Sequence, residues 1–346
     1  MELAPTYTPR LVNREDGHMD TVRIGGVERG PDGGLEVSAQ GLGCMGMSHG
    51  YGTFDDVDES IATLHLALDL GVTHWDTADV YGRGANEELL SRVLAERRDE
   101  VTLATKFGIA ELGTGDRTGR NVVRGHPDYV RQACEASLRR LGVDVIDLYY
   151  LHRPPQDVPL EDTIGAMAEL VPAGKVRHLG VSELDAGQLR TAHAIHPIAA
   201  LQSELSLWTR DVEGVVPTLR ELGIGLVPFS PLGRGFLTGT LDVSDLPDDD
   251  FRRGLPRFQD EAATRNERIV AAVRDVAVRH DASPAQVALA WVHHQQDRLG
   301  IPVAPIPGTK RRRWLRENVA AMDLDLDDRD LAGLDGLADQ VTGNRY

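Results

Sequence analysis

The chain has 346 residues, 41 % of them hydrophobic, and a formal charge of -17. That length and apolar content suit one large α/β domain with a substantial core. The negative charge argues against affinity for nucleic acid or an anionic membrane surface, and no apolar run approaches the ~20 residues that cross a bilayer.

The N-terminal stretch MELAPTYTPRLVNREDGHMD is polar and aperiodic. It has no apolar centre of the signal-peptide kind, so a cytoplasmic protein with residues 1–20 disordered and one domain over 21–346 is expected. Met19 is an alternative translation start. VRIGG, a Gly/Pro/Asp turn ending at Gly34, and LEVSAQ then read as a β-hairpin. GLGCMGMS is a strand-like run. Asp56 with Glu59 three residues on predicts a capping box, followed by a helix with Ile61, Leu64 and Leu68 on one face and Gly71 as its stop.

An alternation of apolar runs and helical periods continues from there. Strands are expected at VTHWDTA, VTLATKFG, VIDLYYLH, VRHLGVS, IAALQSE, IGLVPFS and APIPG. Helices are expected at NEELLSRVLAE, Asp128–Leu141, Leu160–Leu170, Ala186–Ala194, Val212–Leu222, Ala262–His280, Pro284–His294 and Arg311–Ala321. The strands are apolar throughout, as parallel strands covered on both faces must be. Eight β–α units after the hairpin predict a (β/α)8 TIM barrel. An open doubly wound sheet is the runner-up; a nucleotide enzyme of that kind would carry G-x-G-x-x-G after its first strand, and none follows the run GLGCMGMS here. Two segments break the rhythm: Gly108–Pro127 after the third strand, and Leu232–Gln259 after the seventh. Both leave the C-terminal ends of strands, where barrel active sites lie, and both read as lids.

Polar residues recur at those ends. Asp76, Lys106, His152, Ser182, Gln202 and Ser230 each close a strand, from the second to the seventh. Each has a bland reading alone: a helix cap for Asp76, a solvated charge for Lys106, a core histidine for His152, and, in the loop after Asp76, a half-buried aromatic for Tyr81. Six on consecutive strands would meet at one mouth, and polar groups there cost free energy unless paired or used. Cys44 and Cys134 have no metal-ligand spacing and read as packing residues.

With the motifs GLGCMGMS, DTADVYG, LATKFG, LYYLHRP, GKVRHLGVS, LQSELSLWTR, PFSPLGRGFLTG and PIPGTK, the chain resembles the bacterial long-chain members of the aldo-keto reductases over roughly Leu35 to Met322. The resemblance implies a (β/α)8 barrel, bound NADPH (NADP+), a small carbonyl substrate, no metal, and a catalytic tetrad of Asp76, Tyr81, Lys106 and His152. It places Ser182 and Gln202 on the nicotinamide carboxamide and Phe229 under the nicotinamide ring. Ser230, Leu232, Gly233 and Arg234 meet the pyrophosphate. Gly308, Thr309 and Lys310 meet the 2′-phosphate region, and Glu317 and Asn318 the adenine. Four consecutive basic residues, Lys310–Arg313, open a helix there, which suits an anion. Trp314 stands where many members have a phosphate-clamping arginine, so NADH use stays open. Leu205 replaces a common tyrosine, and His74 a commoner apolar residue; His74 reads as a packed core histidine or a tuner of the tetrad.

The chemistry asks for a proton donor near neutrality, yet a free tyrosine titrates near ~10. An ammonium about 4 Å away favours the phenolate by up to ~4 kcal/mol at an effective dielectric near 20, opposed by desolvation. Lys106 is expected to do this for Tyr81, steadied by Asp76, with His152 donating to the substrate oxygen. A cofactor-binding module with slow turnover, similar to channel β-subunits, is the alternative. A metal hydrolase built on His74, Asp76 and His152 lacks the paired histidines at strand 1 and the aspartate at strand 8 that such sites need. Trp208 and the two long loops are expected to shape the substrate space. Nothing in the sequence sets the oligomeric state.

Overall fold

The computed structural model describes residues 19–26, 33–50, 56–111, 122–247 and 250–345. Of residues 1–20, expected to be disordered, 1–18 lie outside them, as do the centre of the hairpin turn and parts of both long loops. Met19, by contrast, is 8 % exposed and packs against Gly71.

Strands β1 (Thr21–Ile24) and β2 (Leu35–Ser38) pair antiparallel, Ile24 opposite Leu35. The remaining order is β3 (Leu42–Gly43), α1 (Val57–Asp69), β4 (His74–Asp76), α2 (Ala85–Arg97), β5 (Thr102–Phe107), a side hairpin of β6 (Ile109–Glu111) and β7 (Val122–Val123), α3 (Pro127–Leu141), β8 (Ile146–Leu151), α4 (Leu160–Leu170), β9 (Val176–Ser182), α5 (Ala186–Ile195), β10 (Ile198–Glu204), α6 (Val216–Leu222), β11 (Gly225–Phe229), α7 (Asp260–Arg279), α8 (Pro284–Leu299), α9 (Arg312–Ala320) and α10 (Asp328–Asp335). β3, β4, β5, β8, β9, β10 and β11 form one parallel seven-stranded sheet in chain order.

Residues 302–308 close it. On one side the N–H groups of Ala304 and Ile306 donate to Leu226 and Pro228 of β11, at 3.0 Å each. On the other, the carbonyls of Pro305 and Pro307 accept from Gly41 (2.9 Å) and Gly43 (3.3 Å). Parallel pairing alternates sides residue by residue, and the residues facing β3 are prolines with no N–H to give. Half of that ladder cannot form, so the eighth strand survives as bridges at Val303 and Gly308. The fold is the (β/α)8 barrel expected from the alternation.

Two apolar layers hold it. The barrel interior contains Ala104, Leu148, Tyr150, Ala200, Val227 and Ile306, plugged at its N-terminal end by Val22, Ile24, Leu35 and Val37 of the hairpin. The larger layer lies between strands and helices. Gly180 on β9 leaves room for the buried Tyr150 ring, whose nearest atom would lie 2.4 Å from an added Cβ. α1 starts at Asp56, whose side chain accepts from the Glu59 N–H at 3.0 Å. The reciprocal half of the expected capping box is replaced: the Glu59 carboxylate takes Arg312, at its N–H (2.9 Å) and its guanidinium (2.8 Å). A cation outcompetes a neutral N–H for a carboxylate, and the pair ties α1 to α9.

Candidate active site

β4 ends in Asp76, β5 carries Lys106, and His152 follows β8, so the barrel sets all three at its C-terminal mouth. Asp76, Lys106 and His152 are 3 %, 0 % and 6 % exposed. The Lys106 ammonium forms an ion pair with Asp76 Oδ1 and donates to the Thr77 carbonyl at 2.9 Å. It lies 5.2 Å from the centre of the Tyr81 ring. His152 stands edge-on to Tyr81, ring centres 5.9 Å apart. The other face of the phenol has His49 nearly parallel at 6.1 Å. Asp76 Oδ2 accepts a 2.7 Å hydrogen bond from Gln202 on β10.

Electrostatics follow from this burial. Desolvation pushes Lys106 down, but Asp76 and the phenol more than offset it, so the ammonium is held above its usual value. Tyr81 is raised: desolvation of the phenolate comes first, and the opposing pull of Lys106 does not overcome it. Lys106 pulls the phenol down, as the sequence reading expects, but burial outweighs it and the phenol stays protonated at neutral pH. His152 is driven well below its usual value by burial, then by Lys106 and Arg153; it is a neutral imidazole, and its buried Nδ1 has no hydrogen-bond partner. His74 is fully buried, both ring nitrogens unpartnered, and pushed down to about 4 by burial.

The loop carrying Tyr81 is held by Asn86, at the start of α2. Its side chain accepts from Thr77 Oγ1 (2.6 Å) and donates to the Cys44 carbonyl (2.9 Å) and Ser48 Oγ (3.0 Å). The Tyr81 and His49 loops are thus stitched through one fully buried amide. Left-handed backbone at residues other than glycine gathers here too, at Arg83, Glu183, Ser230 and Arg234, the kind of local strain that functional sites store.

The residues expected to hold a cofactor lie along the same mouth. Ser182 Oγ accepts from Arg153 at 3.0 Å. The half-buried Phe229 ring has the guanidiniums of Arg153 and Arg345 at 6.0 and 5.5 Å. After Ser230 the chain turns through Gly233, whose N–H donates back to Ser230 at 2.9 Å; a Cβ there would lie 2.8 Å from the Trp208 indole. The Arg234 guanidinium pairs with Glu204 at 3.1 Å. Trp208, expected to shape the substrate space, lies against this turn. It is 3 % exposed, stacked on Phe236 at 4.9 Å and edge-on to Phe258, because three large rings bury more apolar surface together than apart. Farther round, Gly308 bridges to Gly43 and Thr309 Oγ1 accepts from the Arg311 N–H at 3.2 Å. Of the basic stretch, Arg312 is committed to Glu59, and Arg313 lies 3.8 Å over the Trp314 ring. Glu317 accepts from Ser283 at 2.5 Å, and Asn318 is buried.

A parallel barrel with a buried lysine–aspartate pair against a tyrosine and a neutral histidine is the frame on which comparison with known proteins bears. The Aldo/keto reductase family matches residues 40–339. The chain belongs to that family. A thermostable aldo-keto reductase, Tm1743, solved with the inhibitor epalrestat, shares 28 % identity at a TM-score of 0.72, covering 92 % of this chain and 100 % of that one. The glycerol dehydrogenase AKR11B4 from Gluconobacter oxydans shares 29 % identity at a TM-score of 0.78, covering 94 % of this chain and 97 % of that one.

Aldo-keto reductases are oxidoreductases of carbonyl compounds and generally use nicotinamide cofactors. The residues of this member fit such a ring. A carboxamide needs one donor and one acceptor. Ser182, already accepting from Arg153, keeps its O–H to donate; Gln202, with one N–H given to Asp76, keeps Oε1 to accept. Sequence reasoning missed Asn86, Arg153, Glu183, Glu204, Arg345 and His49. Arg153 stood inside the motif LYYLHRP and Glu204 inside LQSELSLWTR; the others look like ordinary surface polars until the loops fold together. Among the described residues no helix is long and apolar enough to cross a membrane.

Proposed function

We propose that this aldo-keto reductase reduces an aldehyde or ketone to an alcohol in the cytoplasm, with NADPH as hydride donor, and that residues 21–346 act as one catalytic domain. The observation that carries the reading is the Lys106 ammonium, paired with the Asp76 carboxylate and set 5.2 Å from the centre of the Tyr81 ring. The cofactor supplies the hydride at the carbonyl carbon. Tyr81 gives its proton to the carbonyl oxygen, and the neighbouring ammonium stabilises the phenolate left behind. Because the phenol is protonated at rest, Lys106 acts at the moment charge develops rather than before it. The neutral His152 donates a hydrogen bond to the same oxygen and orients the carbonyl. In the reverse direction Tyr81 takes the proton back. The polarising charge comes from Lys106, so the mechanism asks for no metal.

Ser182 and Gln202 are assigned to the carboxamide and Phe229 to the ring; Ser230, Leu232, Gly233 and Arg234 to the pyrophosphate; Gly308, Thr309 and Lys310 to the 2′-phosphate region; Glu317 and Asn318 to the adenine. Lys310 and Arg311 support NADPH, whereas the commitment of Arg312 to Glu59 and the presence of Trp314 leave room for NADH.

Tyr81→Phe tests the assignment. The variant keeps NADPH binding, read as quenched tryptophan fluorescence, and loses carbonyl reduction at least ~100-fold across a panel of aromatic aldehydes. Undiminished activity would remove Tyr81 from the mechanism. Wild-type turnover slower than about one per minute would favour the slow-turnover module instead.

A further inference from the structure

Beyond the tetrad, the described chain ends at a second charged cluster. The backbone after α10 is pinned by Asn266, which exchanges two hydrogen bonds with Thr342 (3.0 and 2.9 Å), and by Arg257 on the Gly343 carbonyl (3.3 Å). This delivers Arg345 into the barrel mouth. Its guanidinium grips Glu183 with two hydrogen bonds (2.9 and 3.0 Å) and Glu204 with a third (2.8 Å). Glu183 is the residue immediately after Ser182, in left-handed backbone. Glu204 is the last residue of β10 and also takes Arg234. The same Arg345 guanidinium lies 5.5 Å over Phe229, with Arg153 at 6.0 Å.

We propose that Arg345 sets which redox form of a nicotinamide the protein holds more tightly, biasing the site towards the reduced form. The inference rests on the assignment of Phe229 to the nicotinamide. An oxidised nicotinamide ring carries a positive charge and the reduced ring none, while the phosphates of the two forms are identical. A guanidinium beside the ring platform therefore acts on the difference between the forms, and it disfavours the cation. The carboxylates of Glu183 and Glu204 work in the opposite sense and hold Arg345 in place. Partly screened charges at such separations shift a binding ratio by roughly fivefold to tenfold. The consequence is directional: reduced cofactor is retained and oxidised cofactor leaves, which favours carbonyl reduction over alcohol oxidation.

The experiment is a fluorescence titration of the whole protein with NADPH and with NADP+, for the wild type, Arg345→Gln, Arg345→Lys and Glu183→Gln. The ratio of the NADP+ to the NADPH dissociation constant falls roughly fivefold or more in Arg345→Gln, rises in Glu183→Gln, and stays near wild type in Arg345→Lys. A purely structural role for Arg345 would weaken both forms in parallel and move both neutral variants the same way; that result overturns the inference, as does a ratio constant within twofold. Wild-type protein that binds neither nucleotide overturns the proposed function itself, and this inference with it.

Discussion

Gln202 and Asp76, 126 positions apart in the chain, meet across the barrel mouth in a 2.7 Å hydrogen bond. The bond fixes one carboxylate oxygen of Asp76 while Lys106 takes the other. Neither residue of the ion pair can turn away without breaking a second contact. The pair is an oriented one, in a place where an unoriented ammonium would face two possible acceptors.

Removing one partner of this pair is costly. In Asp76→Asn the Lys106 ammonium, with its side chain 1 % exposed, loses its compensating charge. Loss of one member of a buried ion pair costs on the order of 3–5 kcal/mol. Urea unfolding is expected to show a loss of that order, together with a fall in carbonyl reduction. A variant as stable and active as wild type would mean that the pair is incidental.

Burial keeps His152 neutral far below the usual histidine range, and Tyr81 protonated above the usual tyrosine range. Between pH 5.5 and 6.5, where an ordinary histidine gains its proton, neither group changes state. The expected kcat/KM for a neutral aldehyde at saturating NADPH therefore shows no decline over that interval that belongs to His152 or Tyr81. A decline with a midpoint inside it, abolished in His152→Gln, would show that His152 titrates there.

Asn86 joins three backbone and side-chain partners that hold the Tyr81 and His49 loops together. Asn86→Ala leaves Thr77, the Cys44 carbonyl and Ser48 without those bonds, at a cost of about 2 kcal/mol. Loss of positioning is expected to lower kcat by roughly tenfold or more, with the NADPH dissociation constant unchanged. Cofactor affinity falling in step with the rate would place Asn86 elsewhere in the machinery.

Asp79, two residues before Tyr81, is raised to about 7, first by burial and then by the nearby Glu87, and its Oδ1 has no hydrogen-bond partner. The unfolded chain ionises this group near 3.8, the ordinary aspartate value. Its contribution to stability is therefore complete below about 4 and is lost as pH rises through about 7. Asp79→Asn removes that loss. Relative to wild type, the variant should gain stability between pH 4.5 and pH 8, by at most about 4 kcal/mol. Paired denaturation curves with a constant difference at the two pH values would refute the buried, protonated carboxyl.

The positions of Asp76, Lys106, His152, Ser182 and Gln202 were legible because each closes an apolar run, and all parallel strands of a barrel end on one side. The eighth strand was legible as APIPG, though not its sparse ladder, which depends on which prolines face β3. The side hairpin β6–β7 and helix α10 were not foreseen: the first has two very short strands, and the second spans only Asp328–Asp335. The ring cluster around Trp208 was not legible, because a lone aromatic after a strand reads the same whether it faces a cavity or other rings.

From the sequence alone came the alternation, the barrel and the ring of polar strand ends, because these depend on periodicity within short windows. Only the tertiary structure decided that Gln202 holds Asp76, that desolvation outweighs Lys106 at Tyr81, that Asn86 stitches two loops, and that Arg345 reaches Phe229. Those outcomes turn on distances between segments far apart in the chain and on how much water each group loses, and both quantities come into being only when the barrel closes.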